Sequence, residues 1–134
     1  MREEITALAR YRLQEAYESL EEADILLKEK KTRGAMNRVY YSMFYAALAL
    51  LATKQLEASK HSGVISLFHK EFVKHQIFPK DIAKFLDVAF DLRNKCDYKD
   101  FVIIKEEHVE ELLNEAKCFV ERSGQLLDKL LETN

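Results

Sequence analysis

Hydrophobic residues recur along this chain at steps of three and four, and the pattern divides it into five helical stretches. Over residues 5–30, Ile5, Leu8, Leu13, Ala16, Leu20, Ala23 and Leu27 form a stripe, with Glu15, Glu18, Glu21, Glu22, Lys28 and Glu29 outside it. Lys30, Lys31, Thr32, Arg33 and Gly34 then interrupt the stripe, and the basic cluster from Lys28 to Arg33 reads as a solvated turn. A connection this short makes the flanking helices antiparallel neighbours. Residues 35–52 are apolar nearly all round, which puts this second helix in the middle of a bundle or shares its surface with a partner subunit. Beyond the polar run 54–60, Ser62 or Ser59 stands where it would cap a third helix bearing Val64, Phe68 and Phe72 and ending near His75. Pro79 suits the first turn of a fourth helix with Ile82, Phe85, Leu86, Ala89 and Leu92 on its apolar face. Periodicity fades from Asn94 to Ile104. The acidic pair Glu106 and Glu107 then suits the N-terminus of a fifth helix, whose buried face runs from Val109 to Leu130.

Composition narrows the class without changing that picture. In 134 residues there are three glycines and one proline, with 48% hydrophobic and 33% charged residues, so the expected fold is all-α and the chain, 1–134, reads as one domain. A formal net charge of −2 supplies no global positive field, so an anionic ligand would need a local site. Cys96 and Cys118 form no CxxC, and Met1 to Ile5 carries no apolar signal region, which predicts reduced thiols in a cytoplasmic protein. The longest uninterrupted apolar run, Met43 to Ala52, is about half of the ~20 residues a bilayer requires, so no membrane association is expected. His61, His69, His75 and His108 show neither HxxxH nor HExxH spacing, and no metal or other cofactor is expected. His61, beside Ser62 and Gly63, is either a helix-terminal functional group or a partly exposed residue near a cap.

Two constellations can carry chemistry. Arg93 extends the line Ile82, Leu86, Ala89 by one more step of four, so its guanidinium points to the helical interior or a subunit interface and requires a partner there. Asp97, four residues on, supplies it and leaves other guanidinium donors free for a phosphate; an ordinary Arg–Asp bridge at a helix C-terminus is the competing interpretation. On the second helix Asn37, Tyr41 and Tyr45 share a face, flanked by Arg38 and Tyr40, and line either a polar pocket or an aromatic core stripe.

These residues, taken in order, resemble the HEPN domains, the higher eukaryote and prokaryote nucleotide-binding helical bundles, in their small prokaryotic branch. The resemblance spans nearly the whole chain. It rests on the first helix from Ala16 to Leu27, on the run from Asn37 to Ala47, on His61-Ser-Gly-Val64 with Phe68, and on Arg93-x-x-x-Asp97-Tyr98. It implies a bundle of four long helices with a short extra one, a two-fold homodimer, and a cleft at the dimer axis that binds a nucleotide or RNA. It also implies a minimal nucleotidyltransferase as partner, the two acting as toxin and antitoxin. In some such pairs the partner adds AMP to a tyrosine near the motif; Tyr98, the one tyrosine of this loop, is the acceptor that this implies, although it occupies the position of the motif His rather than one beyond it.

Many HEPN toxins are metal-independent ribonucleases whose motif is Arg, four to six residues, then His. Here Tyr98, Lys99 and Asp100 occupy the positions for that His. Attack by a 2′-hydroxyl needs an acid–base group with a pKa near 7, whereas a phenol titrates near ~10 and is ionised in roughly one molecule in a thousand at neutral pH. The missing His argues against an enzyme and for a binding or regulatory module, with Arg93, Asp97, Tyr98, Asn37 and Tyr41 as ligand-facing residues. Two alternatives stay open: a ribonuclease with a rearranged site, in which Asp97 or a His such as His61 is the base, and a purely structural helical dimer.

Overall fold

A computed structural model describes residues 2–99 and 102–132. Among them the order is α1 (Glu3–Lys28), α2 (Thr32–Ala52), α3 (His61–Phe68), a single π-helical turn (His69–Val73), α4 (Lys80–Tyr98) and α5 (Glu106–Glu132). No strand occurs among the described residues, so the fold is the all-α bundle expected, with four long helices and α3 as the short one. No helix among them is long and apolar enough to cross a membrane.

The nearly uniform apolarity of α2 has a direct structural cause: it is the central element, packed against α1, α3, α4 and α5. Val39, Tyr40, Ser42, Met43, Ala46, Ala47, Ala49, Leu50 and Leu51 are all fully buried, and at ~100° per residue they cover more than half of the helix circumference, wider than one stripe. Ser42 shares that interior because its hydroxyl donates to the carbonyl of Val39 at 2.6 Å, which removes the penalty of an unpaired buried polar group. A second core centre joins α3, the turn before α4 and α5: the rings of Phe78 and Phe119 lie 5.0 Å apart, with Phe68 5.0 Å from Phe78 and 5.7 Å from Phe119.

Helix ends depart from the sequence reading. α1 stops at Lys28 and α2 begins at Thr32, three residues before the expected start. α1 and α2 each close with an amide reaching back five residues, Lys31 to the carbonyl of Leu26 and Leu56 to that of Leu51. Such closures pass through a left-handed residue, which glycine occupies most readily. Here Lys30 (φ 60°) and Gln55 (φ 55°) fill that role, so no glycine marks either end in the sequence.

Neither Ser59 nor Ser62 caps α3. The helix starts one residue earlier than Ser62, at His61, with Lys60 in the cap position and no side-chain cap. Pro79 is the residue before α4 rather than part of its first turn, and α4 runs to Tyr98, through the stretch where periodicity fades. Lys28 to Arg33 is more than a solvated turn. Lys30 pairs with Glu106 at 3.3 Å, and Arg33 donates to the carbonyls of Cys96 and Val102, the latter at 2.7 Å. The two Arg33 bonds fasten both sides of the segment that follows α4. Met1 and Asp100 lie outside the described residues.

Candidate functional site

α2, the N-terminus of α3 and the C-terminal half of α4 converge on a cleft of about 410 Å³ lined by Tyr41, Ser59, Lys60, His61, Ser62, Phe90, Arg93, Asn94 and Tyr98. Each element brings its residue there for a local reason. On α4, Leu86 and Ala89 are fully buried, and one further helical step carries Arg93 to the edge of the same face. On α3, Gly63 lets the preceding turn close against the helix, since a Cβ at that position would stand 3.0 Å from the Cβ of Ala58. That seats His61 at the cleft mouth.

Arg93 is the most constrained charge in the cleft, its side chain only 15% exposed. Its Nε lies 2.8 Å from Asp97 Oδ2, an ion-pair distance at which the geometry makes no hydrogen bond, so the buried Nε–H has no acceptor. Nη2 donates to the Tyr41 hydroxyl at 3.3 Å and Nη1 to Asn94 Oδ1 at 3.4 Å, both long contacts. The guanidinium carbon stands 5.4 Å from the ring centre of Tyr40 and 5.5 Å from that of Tyr41, within reach of a cation–π attraction. Arg93 is therefore held by carboxylate, hydroxyl and ring faces, while its hydrogen-bonding capacity is far from saturated.

His61 is the residue whose importance only the fold reveals. Its ring stacks on Phe44 with centroids 4.2 Å apart, and a hydrogen bond of 2.9 Å joins its Nδ1 to the hydroxyl of the buried Tyr40. Burial, and secondarily the charge of Arg93, hold the imidazole below its ordinary range, so it is neutral at neutral pH. Burial likewise pushes the Tyr40 phenol well above its ordinary range, against a smaller opposing pull from Arg93. Because α3 has no side-chain cap, its first amides stand beside the cleft without that competitor, and a helix N-terminus favours anions.

The five ligand-facing residues named from the sequence fall into two groups. Arg93, Tyr41 and Tyr98 line the cleft, and Asp97 flanks it through Arg93; Tyr98, the last residue of α4, is 79% exposed. Asn37 does not line it. Its Oδ1 accepts from Arg38 at 3.0 Å, and the Arg38 guanidinium lies 4.8 Å from the ring centre of Tyr41, so Asn37 supports the cleft wall from one turn away. Tyr40 and Asn94 adjoin Tyr41 and Arg93 in sequence, whereas His61 reaches the cleft only through the packing of α3 against α2.

A larger groove of about 1330 Å³ runs between the π turn, α4 and α5. Phe78, Phe85 and Leu112 line it together with Lys74, Lys80 and Lys84 from the turn and α4 and with Glu111 and Glu115 from α5. The smaller cleft is the candidate site because a largely buried guanidinium, an imidazole and phenols meet there.

Residues 9–126 match the family model described as HEPN domain. The chain is 39% identical over 115 residues to a UPF0332 protein of Thermotoga maritima, which covers 86% of this chain and 87% of that one. It is 37% identical over 131 residues to a Methanocaldococcus jannaschii protein named as a candidate toxin, covering 98% and 94% of the two chains. A second M. jannaschii protein named in the same way is 35% identical over 115 residues, covering 86% and 78%.

Proposed function

The chain belongs to the HEPN domain family, and from that membership and the cleft geometry we propose that it is a binding or regulatory module that holds the phosphate of a nucleotide or RNA. The observation that supports this most is Arg93, a largely buried guanidinium lining the cleft, oriented by Asp97 and held only by long contacts at Nη1 and Nη2. Asp97 stands at ion-pair distance from Nε, while the long contacts of Nη1 and Nη2 leave guanidinium donors that an anion entering the cleft can engage. Tyr98, exposed at the rim, offers a ring on which a base stacks. Binding needs no acid–base group at the position of the missing motif His, which is why it stands above cleavage.

Titration with AMP and with a short single-stranded RNA tests the proposal. Both are expected to bind and to shift the NMR resonances of Arg93, His61 and Tyr98, and Arg93→Ala is expected to remove the effect. A wild-type protein that binds neither ligand at millimolar concentration would overturn it.

The partners belong to the same proposal. Two relatives carry names that call them candidate toxins, which supports a role as the HEPN component of a toxin–antitoxin pair with a minimal nucleotidyltransferase. In that pair the chain is a two-fold homodimer whose clefts meet at the axis. Sedimentation at micromolar protein is expected to give twice the chain mass, and monomer alone would remove the dimer from the proposal. The Tyr98 hydroxyl is the group such an enzyme would reach, being exposed at the end of α4. Co-expression with the nucleotidyltransferase should therefore add AMP to Tyr98, and intact-mass spectrometry showing no adduct there refutes that step.

A further inference from the structure

We infer that His61 serves the cleft as a neutral hydrogen-bond donor through Nε2, its tautomer set by the buried Tyr40 hydroxyl, so that a phosphate oxygen is held between an imidazole N–H and the Arg93 guanidinium. This rests on the phosphate-binding proposal above and assigns that site a second contact residue.

The tautomer follows from a count of protons. Tyr40 is fully buried, and the hydrogen bond of its hydroxyl among the described residues is the 2.9 Å contact with His61 Nδ1. A buried phenol keeps its proton, and that proton needs an acceptor. If Nδ1 carried hydrogen it would donate to the phenol oxygen and leave the phenolic proton facing nothing. With Nδ1 as the acceptor, the phenol is satisfied, and the one N–H of a neutral imidazole then sits on Nε2. Nε2 has no partner among the described residues, and the ring that bears it lines the cleft. Stacking on Phe44 at 4.2 Å and on Tyr40 at 5.8 Å keeps the ring from turning over to exchange its two nitrogens.

Two chemical consequences follow. A neutral Nε2–H points at an anion without adding a second cation beside Arg93, whose charge already opposes protonation of the ring. A nitrogen that bears hydrogen in the resting state has no lone pair with which to take a proton from a 2′-hydroxyl, so His61 is a contact residue and does not replace the base that the Arg–His motif of ribonucleases supplies. Charged and titratable groups around the ring come from all three elements: Tyr40 and Tyr41 on α2, Lys60 before α3, and Arg93, Asp97 and Tyr98 on α4.

The test uses ring ¹H–¹⁵N NMR at pH 7.5 together with AMP affinity. The wild-type ring is expected to show hydrogen on Nε2, and Tyr40→Phe is expected to give a mixture of tautomers. His61→Gln places an amide N–H where Nε2–H was and is expected to keep AMP affinity within about threefold, whereas His61→Ala should weaken it by about tenfold or more, the range for a hydrogen bond to a charged group. Hydrogen on Nδ1, or an imidazolium at this pH, overturns the inference alone, as does a His61→Ala protein that binds AMP as the wild type does. A wild-type protein that binds neither AMP nor RNA overturns the phosphate proposal and the role of His61 with it.

Discussion

Arg93→Ala is expected to abolish nucleotide or RNA binding while leaving the bundle folded, with a loss on the order of 2–5 kcal/mol, or roughly 30-fold to several thousandfold in Kd. The stability effect must be weighed against this, because removing one member of a buried ion pair strands the other, at about 3–5 kcal/mol in a fully buried case. Asp97 is not such a case. Its side chain is 36% exposed and can take up water once Arg93 is gone, which brings the cost toward the ~0–1 kcal/mol of surface pairs. The melting temperature should therefore move by only a few degrees. Arg93→Lys is also expected to bind poorly, because a point ammonium cannot face Asp97 and a phosphate with a planar fork of donors. Melting curves and binding isotherms on both variants decide the matter: a large stability loss with unchanged affinity would make Arg93 a structural residue and sink the functional reading.

The largest effect on stability is expected at Phe119. Its ring is fully buried and touches Phe68 of α3 and Phe78 of the turn before α4, so it ties three segments distant in sequence. Truncation to alanine removes the transfer free energy of the ring and leaves a cavity, together about 3–5 kcal/mol. For a domain of this size that lowers the melting temperature by roughly 10–20 °C. Phe119→Leu, which keeps most of the volume, should cost less than about half as much. Because Phe68 anchors the end of α3 opposite His61, Phe119→Ala should also loosen the cleft, with faster amide exchange in residues 61–66. Melting within a few degrees of the wild type would show that these rings do not form the core centre assigned to them.

Arg93 and Asp97 show what the sequence by itself determined. Their partnership is a matter of four residues on one helix, and helical geometry brings such positions together wherever the helix lies. The same local periodicity specified five helices in order and the apolar circumference that makes α2 the centre of the bundle. Helix ends were less legible, because Lys30 and Gln55 hold the left-handed positions that a glycine would have announced. The site beyond Arg93 and Asp97 was decided by tertiary structure. Tyr41 meets Arg93 across 52 positions, His61 meets Tyr40 across 21, and Arg33 reaches the carbonyls of Cys96 and Val102 across 63 and 69. No periodicity links such residues. Their meeting depends on how α2, α3 and α4 pack, and the choice of His61 tautomer depends in turn on a hydroxyl that only that packing buries.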